Sequence, residues 1–467
     1  MTQIPEDPLT ESSIAQFGLS LRKGEITCEE ITRVYLDRIA ALNPRLEAYV
    51  HVDREGALSV AAGLDRLLRG GTDLGPLMGV TVAVKDLLTV EGMPTRGGSR
   101  MDIEDIIQGE GRFIKDLKRA GCIILGKTRC TEFAAGAHNI SHPTPWNPTD
   151  LKVHKTPGGS SSGSAVAQAA GLCTCAIGSD TGGSVRLPAA LCSLFGYKTS
   201  TGLWPLDGIL PLCPDMDSLG LFTNSAADAT LVYSILSDVP LPCTGHSPEG
   251  ITLGVPTHHF FENLHPIVKA CMDKAMDRLS DSGARLVPVE MPEAEESVEI
   301  FAHLVPSDLL ATLGRDRFFA ERDKIEPVVI DRLSHALDLS AESYVIMRRR
   351  LYELSRIGTE RLAGLDGWIS PTTPLLPVPL DDCKSTADAV AFIARSLQNT
   401  RPGNIYDCCA ASLPIGHLHY EKEPVGLQIH CPHGGDSHLL SLCMKIEGLV
   451  GRPDKPDMSR WRFEDNN

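Results

Sequence analysis

Two glycine–serine clusters joined by a run of small apolar residues, Pro157 to Pro188, constrain this chain more than any other stretch. The first cluster, Gly158-Gly159-Ser160-Ser161-Ser162-Gly163-Ser164, leads into Ala165 to Gly171, which reads as a helix opening directly from it. Cys173 to Ile177 reads as a buried strand feeding the second cluster, Asp180-Thr181-Gly182-Gly183-Ser184-Val185-Arg186. Glycine admits turns closed to other residues and lets backbone amides approach a ligand. A serine hydroxyl beside unobstructed N–H groups is what acyl transfer needs: a nucleophile next to an oxyanion hole.

Strand and helix alternate around these clusters, which predicts an α/β domain. Gly79 to Val84 reads as a strand with Val80, Val82 and Val84 on one face and Thr81, Ala83 and Lys85 on the other. Phe113 to Ala120 reads as a helix and Gly121 to Leu125 as a strand. Upstream, Thr27-Cys28-Glu29-Glu30 is a capping box opening a helix that Asn43-Pro44 is expected to end. A second helix is expected from Arg54 to Leu68, stopping at Gly70-Gly71. Past Pro240 a strand at Thr252 to Val255 is followed by mostly helical periodicity, and strands return at Gly367 to Ser370 and Pro424 to His430 before a closing helix at Gly435 to Leu449. The expectation is a single domain over 1–467: two N-terminal helices within 1–70, a catalytic core over 75–235, a mainly helical substrate-region segment over 255–356, and a return to the core sheet over 365–450. The polar end, from Gly451, is expected to fray.

Composition excludes several function classes. A formal charge of −16 disfavours nucleic acid and anionic membrane surfaces. Arg348-Arg349-Arg350 is the longest basic run and reads as a solvated helix face. The acidic start lacks the parts of a signal peptide, and no apolar stretch reaches membrane-spanning length, so a cytoplasmic location is expected. Fourteen cysteines in a long chain without a secretion signal are expected to be free thiols. Cys408, Cys409, His417, His419, Cys431 and His433 fit no standard zinc spacing, so no metal is expected.

A serine nucleophile needs a base, and His154 is the one histidine near either cluster. Lysine serves when burial keeps it neutral. Lys85, at the C-terminal end of an apolar strand, sits where open α/β sheets collect ligands. At this point the chain resembles the amidase signature family of serine hydrolases. The resemblance rests on the two clusters, Gly158 to Ala165 and Gly178 to Ala189. It is joined by Pro76-Leu77-Met78-Gly79 through Lys85-Asp86, Gly126-Lys127-Thr128 through Glu132-Phe133-Ala134, and Pro424-Val425-Gly426-Leu427-Gln428.

The resemblance implies a large mixed, twisted sheet flanked by helices and a Ser–cis-Ser–Lys triad without metal or organic cofactor. Ser184 would be the nucleophile, Ser160 the bridging serine preceded by a cis peptide, and Lys85 the base. Backbone amides of Thr181, Gly182, Gly183 and Ser184 would hold the oxyanion. Gly158 and Gly159 would give the backbone room, and Asp180 and Arg186 would shape the loop. The implied reaction is hydrolysis of a C–N acyl bond of a small-molecule amide, with carbamates (urethanes) and esters open. The chain departs from the family pattern at Ser162, where glycine is usual, and at Arg129 and Cys130. Leu187 stands where glutaminase subunits of tRNA-dependent amidotransferases carry glutamine, which weighs against that alternative. A homodimer is compatible with the composition.

Competing readings are weaker. Gly159 to Gly163 matches G-x-S-x-G, which would make Ser161 the nucleophile, but the polar, proline-containing segment before it is no strand. Ser20-Leu21-Arg22-Lys23 matches S-x-x-K on an amphipathic helix without companion motifs, and no GK[ST] supports a phosphate loop. Gln428 and Asn404 read as scaffold. Trp146, Trp204 and Tyr406 are candidates either for an acyl pocket or for core and rim packing. A binding protein without activity is the remaining class, and the complete Lys-Ser-Ser set argues against it.

Overall fold

A computed structural model of the chain describes residues 4–10, 12–107, 109–241 and 249–461. The C-terminal residues expected to fray lie, from 462 onward, outside the described residues. Eleven strands form one sheet: β1 (Tyr49–Val52), β2 (Thr81–Lys85), β3 (Ile123–Thr128), β4 (Cys175–Asp180), β5 (Phe195–Lys198), β6 (Ser218–Thr223), β7 (Thr252–Pro256), β8 (Arg285–Val289), β9 (Gly367–Pro371), β10 (Cys409–Pro414) and β11 (Gly426–Cys431). Their order is β1-β3-β2-β4-β6-β5-β10-β11-β9-β7-β8. The trio β3-β2-β4 is parallel, as is β9-β7-β8, and the strands between pair antiparallel. This is the mixed, helix-flanked α/β sheet that was expected.

Burial departs from the simple alternation read for β2. All five of its residues are buried, Thr81 and Lys85 included. Helices cover both faces, so a polar residue here must find a partner within the protein. Thr81 does so through Thr174, 2.9 Å away. Only the outer strands β1 and β8 carry exposed positions.

The N-terminal region holds three helices, not two: Ile14–Lys23, Cys28–Leu46 and Arg54–Arg69. The Thr27 capping box forms as expected, with Glu30 returning to the Thr27 amide at 2.8 Å. Asn43-Pro44 does not end its helix, which continues to Leu46. Proline in a last turn forfeits a single backbone bond, and Asn43 secures the exit by bonding both the amide (2.7 Å) and the carbonyl (3.1 Å) of Tyr49. The segment between residues 250 and 361 supplies two strands, β7 and β8, as well as helices. β8 escaped the helical reading because its outer position leaves Arg285 and Pro288 exposed. The basic run lies on a solvated helix face, as expected, with Arg348 and Arg349 exposed; there Arg348 pairs with Asp215, and Arg350 with Glu296 at 2.7 Å.

The parallel run of β2 and β4 brings Lys85, which ends β2, and Ser179-Asp180, which end β4, to the same sheet edge. The helix Ser162–Ala169 packs over β2, β3 and β4, and its N-terminal loop carries Ser160 to that edge.

Candidate active site

Burial and hydroxyl contacts define the site. Lys85 is fully buried, and its Nζ donates to Ser160 Oγ at 2.7 Å and to Ser179 Oγ at 2.9 Å. Two other fully buried lysines show the contrast. Lys127 is salt-bridged to Asp86 at 2.8 Å, and Lys198 donates to the carbonyls of Thr199 and Cys408. Burial lowers the Lys85 pKa to about 8, against the opposing pull of Cys130, Asp180 and Asp217. An amine held in this way, against hydroxyls and without a carboxylate partner, can accept a proton near neutral pH.

The peptide bond Gly159–Ser160 is cis. Ser160 O accepts from Thr131 N at 3.0 Å, and the adjoining Ser161 N donates to Ser184 O at 3.3 Å. The two clusters are thus stitched together through the backbone, and Ser184 is buried. Gly158 N donates to Thr156 Oγ1 at 3.1 Å, which anchors the start of the loop.

Asp180 and Arg186 form a buried frame behind Ser184. Arg186 Nη2 and Nε donate to the two Asp180 carboxylate oxygens at 2.9 and 3.1 Å. The remaining Arg186 donors reach Thr400 O (2.8 Å), Gln428 Oε1 (3.0 Å) and Asn404 Oδ1 (2.6 Å). Burial alone would raise the Asp180 pKa, but the Arg186 charge and hydrogen bonds outweigh it and hold the carboxyl well below the usual range. Asn404 and Gln428 are scaffold, as expected. Asp180 also accepts from Gly183 N at 2.9 Å. The Gly183 amide, expected in the oxyanion hole, is therefore already engaged in shaping the loop.

Gly182 and Gly183 are required for space. A Cβ on Gly182 would meet Phe301 at 2.5 Å, and one on Gly183 would meet Thr400 Oγ1 at 2.1 Å. Gly183 also has φ +123°, which side-chain-bearing residues avoid. Thr400 Oγ1 donates to Gly182 O at 2.7 Å, and Thr181 Oγ1 donates to Asp217. Burial raises the Asp217 carboxyl, which also accepts from the amides of Leu212 (2.9 Å) and Cys213 (3.0 Å). A small cavity of about 90 Å³ opens beside Ser179, Thr181 and Asp217 and is walled by Leu87, Ile209 and Leu212.

Several candidates fall outside this site. Trp146 stacks on His154 with centroids 4.4 Å apart, Trp204 packs on Phe113, and Tyr406 bonds Glu293, so all three are packing residues. Ser161 Oγ donates to Ser179 O at 3.2 Å inside the scaffold, and Ser20 bonds Glu25 on an exposed helix. The thirteen described cysteines are free and buried. Among the described residues no His, Cys, Asp and Glu group is arranged to hold a metal, and His417 bonds Val450 O while His433 meets Asp407.

Sequence reasoning missed Ser179, Asp217 and Thr400. Ser179 was legible in principle, since strand alternation puts it on one face with Ile177, next to β2. Asp217 and Thr400 carry no local signal, because their roles come from contacts with residues far away in the chain.

Comparison with known proteins shows the family and the fold. A family model described as Amidase matches residues 30–440. The chain belongs to the amidase family. A relative in this family, the 2-amino-5-chloromuconic acid deaminase of Comamonas testosteroni, is 34% identical over 94% of this chain and 96% of its own length. A glutamyl-tRNA(Gln) amidotransferase subunit of Salinispora tropica is 31% identical over 95% of this chain and 98% of its own. A solved amidase structure superposes with a TM-score of 0.84 at 28% identity, covering 94% of this chain and all of that one. The amidase fold and a C–N hydrolase chemistry follow for this chain. Among the described residues no helix is long and apolar enough to cross a membrane.

Proposed function

We propose that this amidase hydrolyses a C–N acyl bond of a small-molecule amide through an acyl-enzyme on Ser184, with Ser160 bridging and Lys85 as base. The observation that carries the reading is the 2.7 Å contact from a buried, charge-disfavoured Lys85 amine to the Ser160 hydroxyl. Neutral Lys85 takes the Ser160 proton as Ser160 takes that of Ser184, and Ser184 Oγ attacks the acyl carbon. The relay then runs backwards to protonate the leaving nitrogen, and water releases the acyl group. The oxyanion falls to the amides of Thr181, Gly182 and Ser184, since Gly183 N already donates to Asp180. The linear-amide class is the first choice, and carbamates and esters react by the same steps.

A second reading, the glutaminase subunit of a tRNA-dependent amidotransferase, is favoured by the 31% identity to such a subunit over nearly the whole chain. Leu187 argues against it. The test is a screen of the purified protein against anilides, carbamates, esters and glutamine, alongside fluorophosphonate labelling. Labelling lost in Ser184→Ala, with turnover of an anilide, supports the proposal. Turnover of glutamine alone favours the second reading, and labelling that persists in Ser184→Ala overturns the assignment of the nucleophile.

A further inference from the structure

A buried guanidinium without an anion lies one aromatic ring away from the nucleophile loop. Arg401 is about nine-tenths buried, and its Nε has no hydrogen-bond partner. Its guanidinium carbon sits 5.2 Å from the centroid of Phe301, the ring that abuts Gly182. Its neighbour in sequence, Thr400, donates to Gly182 O and crowds Gly183. Arg401 lines a cavity of about 590 Å³ together with Ser297, Val298 and Gln398. The two carboxylates on that cavity, Glu262 and Glu295, are exposed. Among the described residues neither forms an ion pair with Arg401.

The local charge makes this costly. The group felt most strongly by Arg401 is a second arginine, Arg332, on the helix Pro327–Ala336. Burial first, and Arg332 second, push the Arg401 pKa down to about 9. Arg332 is itself lowered by burial, and its sequence neighbour Asp331 only partly offsets this. A nearly buried guanidinium over a neutral ring, with a second, half-buried guanidinium as its strongest charged neighbour, is unfavourable until an anion arrives. A guanidinium fork matches a carboxylate in two parallel hydrogen bonds, and the Arg401 Nε that would make one of them is unpartnered. The Arg186–Asp180 frame beside the same loop shows the contrast, a buried guanidinium that already holds its carboxylate.

We infer that Arg401, assisted by Arg332, is a specificity residue that binds a carboxylate on the substrate, so that the preferred substrate is an amide also bearing a carboxylate. The inference rests on Ser184 as the reacting residue. The neutral half of the substrate would then lie along Phe301 toward the Gly182 backbone, with its charged end on Arg401.

The test uses ω-amic acids, from malonamate to adipamate, and the corresponding neutral diamides. Calorimetric titration of Ser184→Ala protein reads binding without turnover. At least one amic acid is expected to bind roughly tenfold or more tightly than its diamide, and Arg401→Gln in that background is expected to weaken it by roughly 10- to 100-fold. In otherwise wild-type protein, Arg401→Gln should lower the ratio of kcat/KM for amic acid over diamide, mainly through KM. If circular dichroism shows that Arg401→Gln does not fold, Arg332→Gln takes its place and should reduce the same preference. The inference is overturned if no amic acid outcompetes its diamide, or if the preference survives the arginine substitution. Turnover of amides without any preference for amic acids sinks the subsite and leaves the acyl-enzyme reading standing. Tight binding of an amic acid without turnover or labelling at Ser184 does the reverse.

Discussion

Reaction of Ser184 with a fluorophosphonate should rise with pH, following deprotonation of Lys85. Burial lowers the Lys85 pKa to about 8, and the neutral amine is the form that can take a proton from Ser160. At pH 7 about a tenth of the molecules would hold a neutral amine and at pH 9 about nine tenths, so the inactivation rate should grow roughly tenfold between them. The probe reports activation of the nucleophile whatever the natural substrate is. Lys85→Ala removes the base and should slow labelling by about 10²- to 10⁴-fold with no remaining inflection near pH 8. Lys85→Arg should be equally slow, because a guanidinium stays protonated over the range. Stopped-flow or gel-based labelling between pH 6 and 10 gives the profile. A flat curve in the wild type, or an inflection that survives Lys85→Ala, would refute the assignment of the base.

Three further outcomes test other parts of the site. Arg186→Met strips the partner from a fully buried Asp180 and should cost about 3–5 kcal/mol in chemical denaturation, the range for breaking one side of a buried pair; a loss below about 1 kcal/mol would contradict the frame. Gly182→Ala drives a methyl into Phe301 and should destabilise the fold by about 1–3 kcal/mol while lowering kcat, and Phe301→Ala in the same chain should restore part of the stability. Ser161→Ala removes a scaffold hydrogen bond to Ser179 O, so it should lower the melting midpoint slightly while fluorophosphonate labelling persists; loss of labelling there would revive Ser161 as nucleophile.

The two glycine–serine clusters were readable because their function is written locally. Ser160 and Ser184 each sit among their own glycines, and the strand leading to Lys85 is a mostly apolar run. The capping box at Thr27 was legible for the same reason, since its partners are three residues apart. Asn43-Pro44 misled because a proline near a helix end is judged by a rule, whereas Asn43 overrode it through contacts with Tyr49. The outermost strand β8 was obscured by its exposed residues, because one solvent-facing side erases the apolar signal of a buried strand.

What the chain's residues determined unaided was the chemistry on offer: a hydroxyl flanked by glycines, a lysine ending an apolar strand, and the alternation that demands an α/β sheet. Tertiary structure alone decided which lysine met hydroxyls and which met a carboxylate, separating Lys85 from Lys127. It also committed the Gly183 amide to Asp180, brought Thr400 and Phe301 against the nucleophile loop, and left Arg401 without an anion. The physical reason is that charge state and hydrogen-bond availability depend on desolvation and on neighbours hundreds of residues away, and neither is encoded in any local pattern.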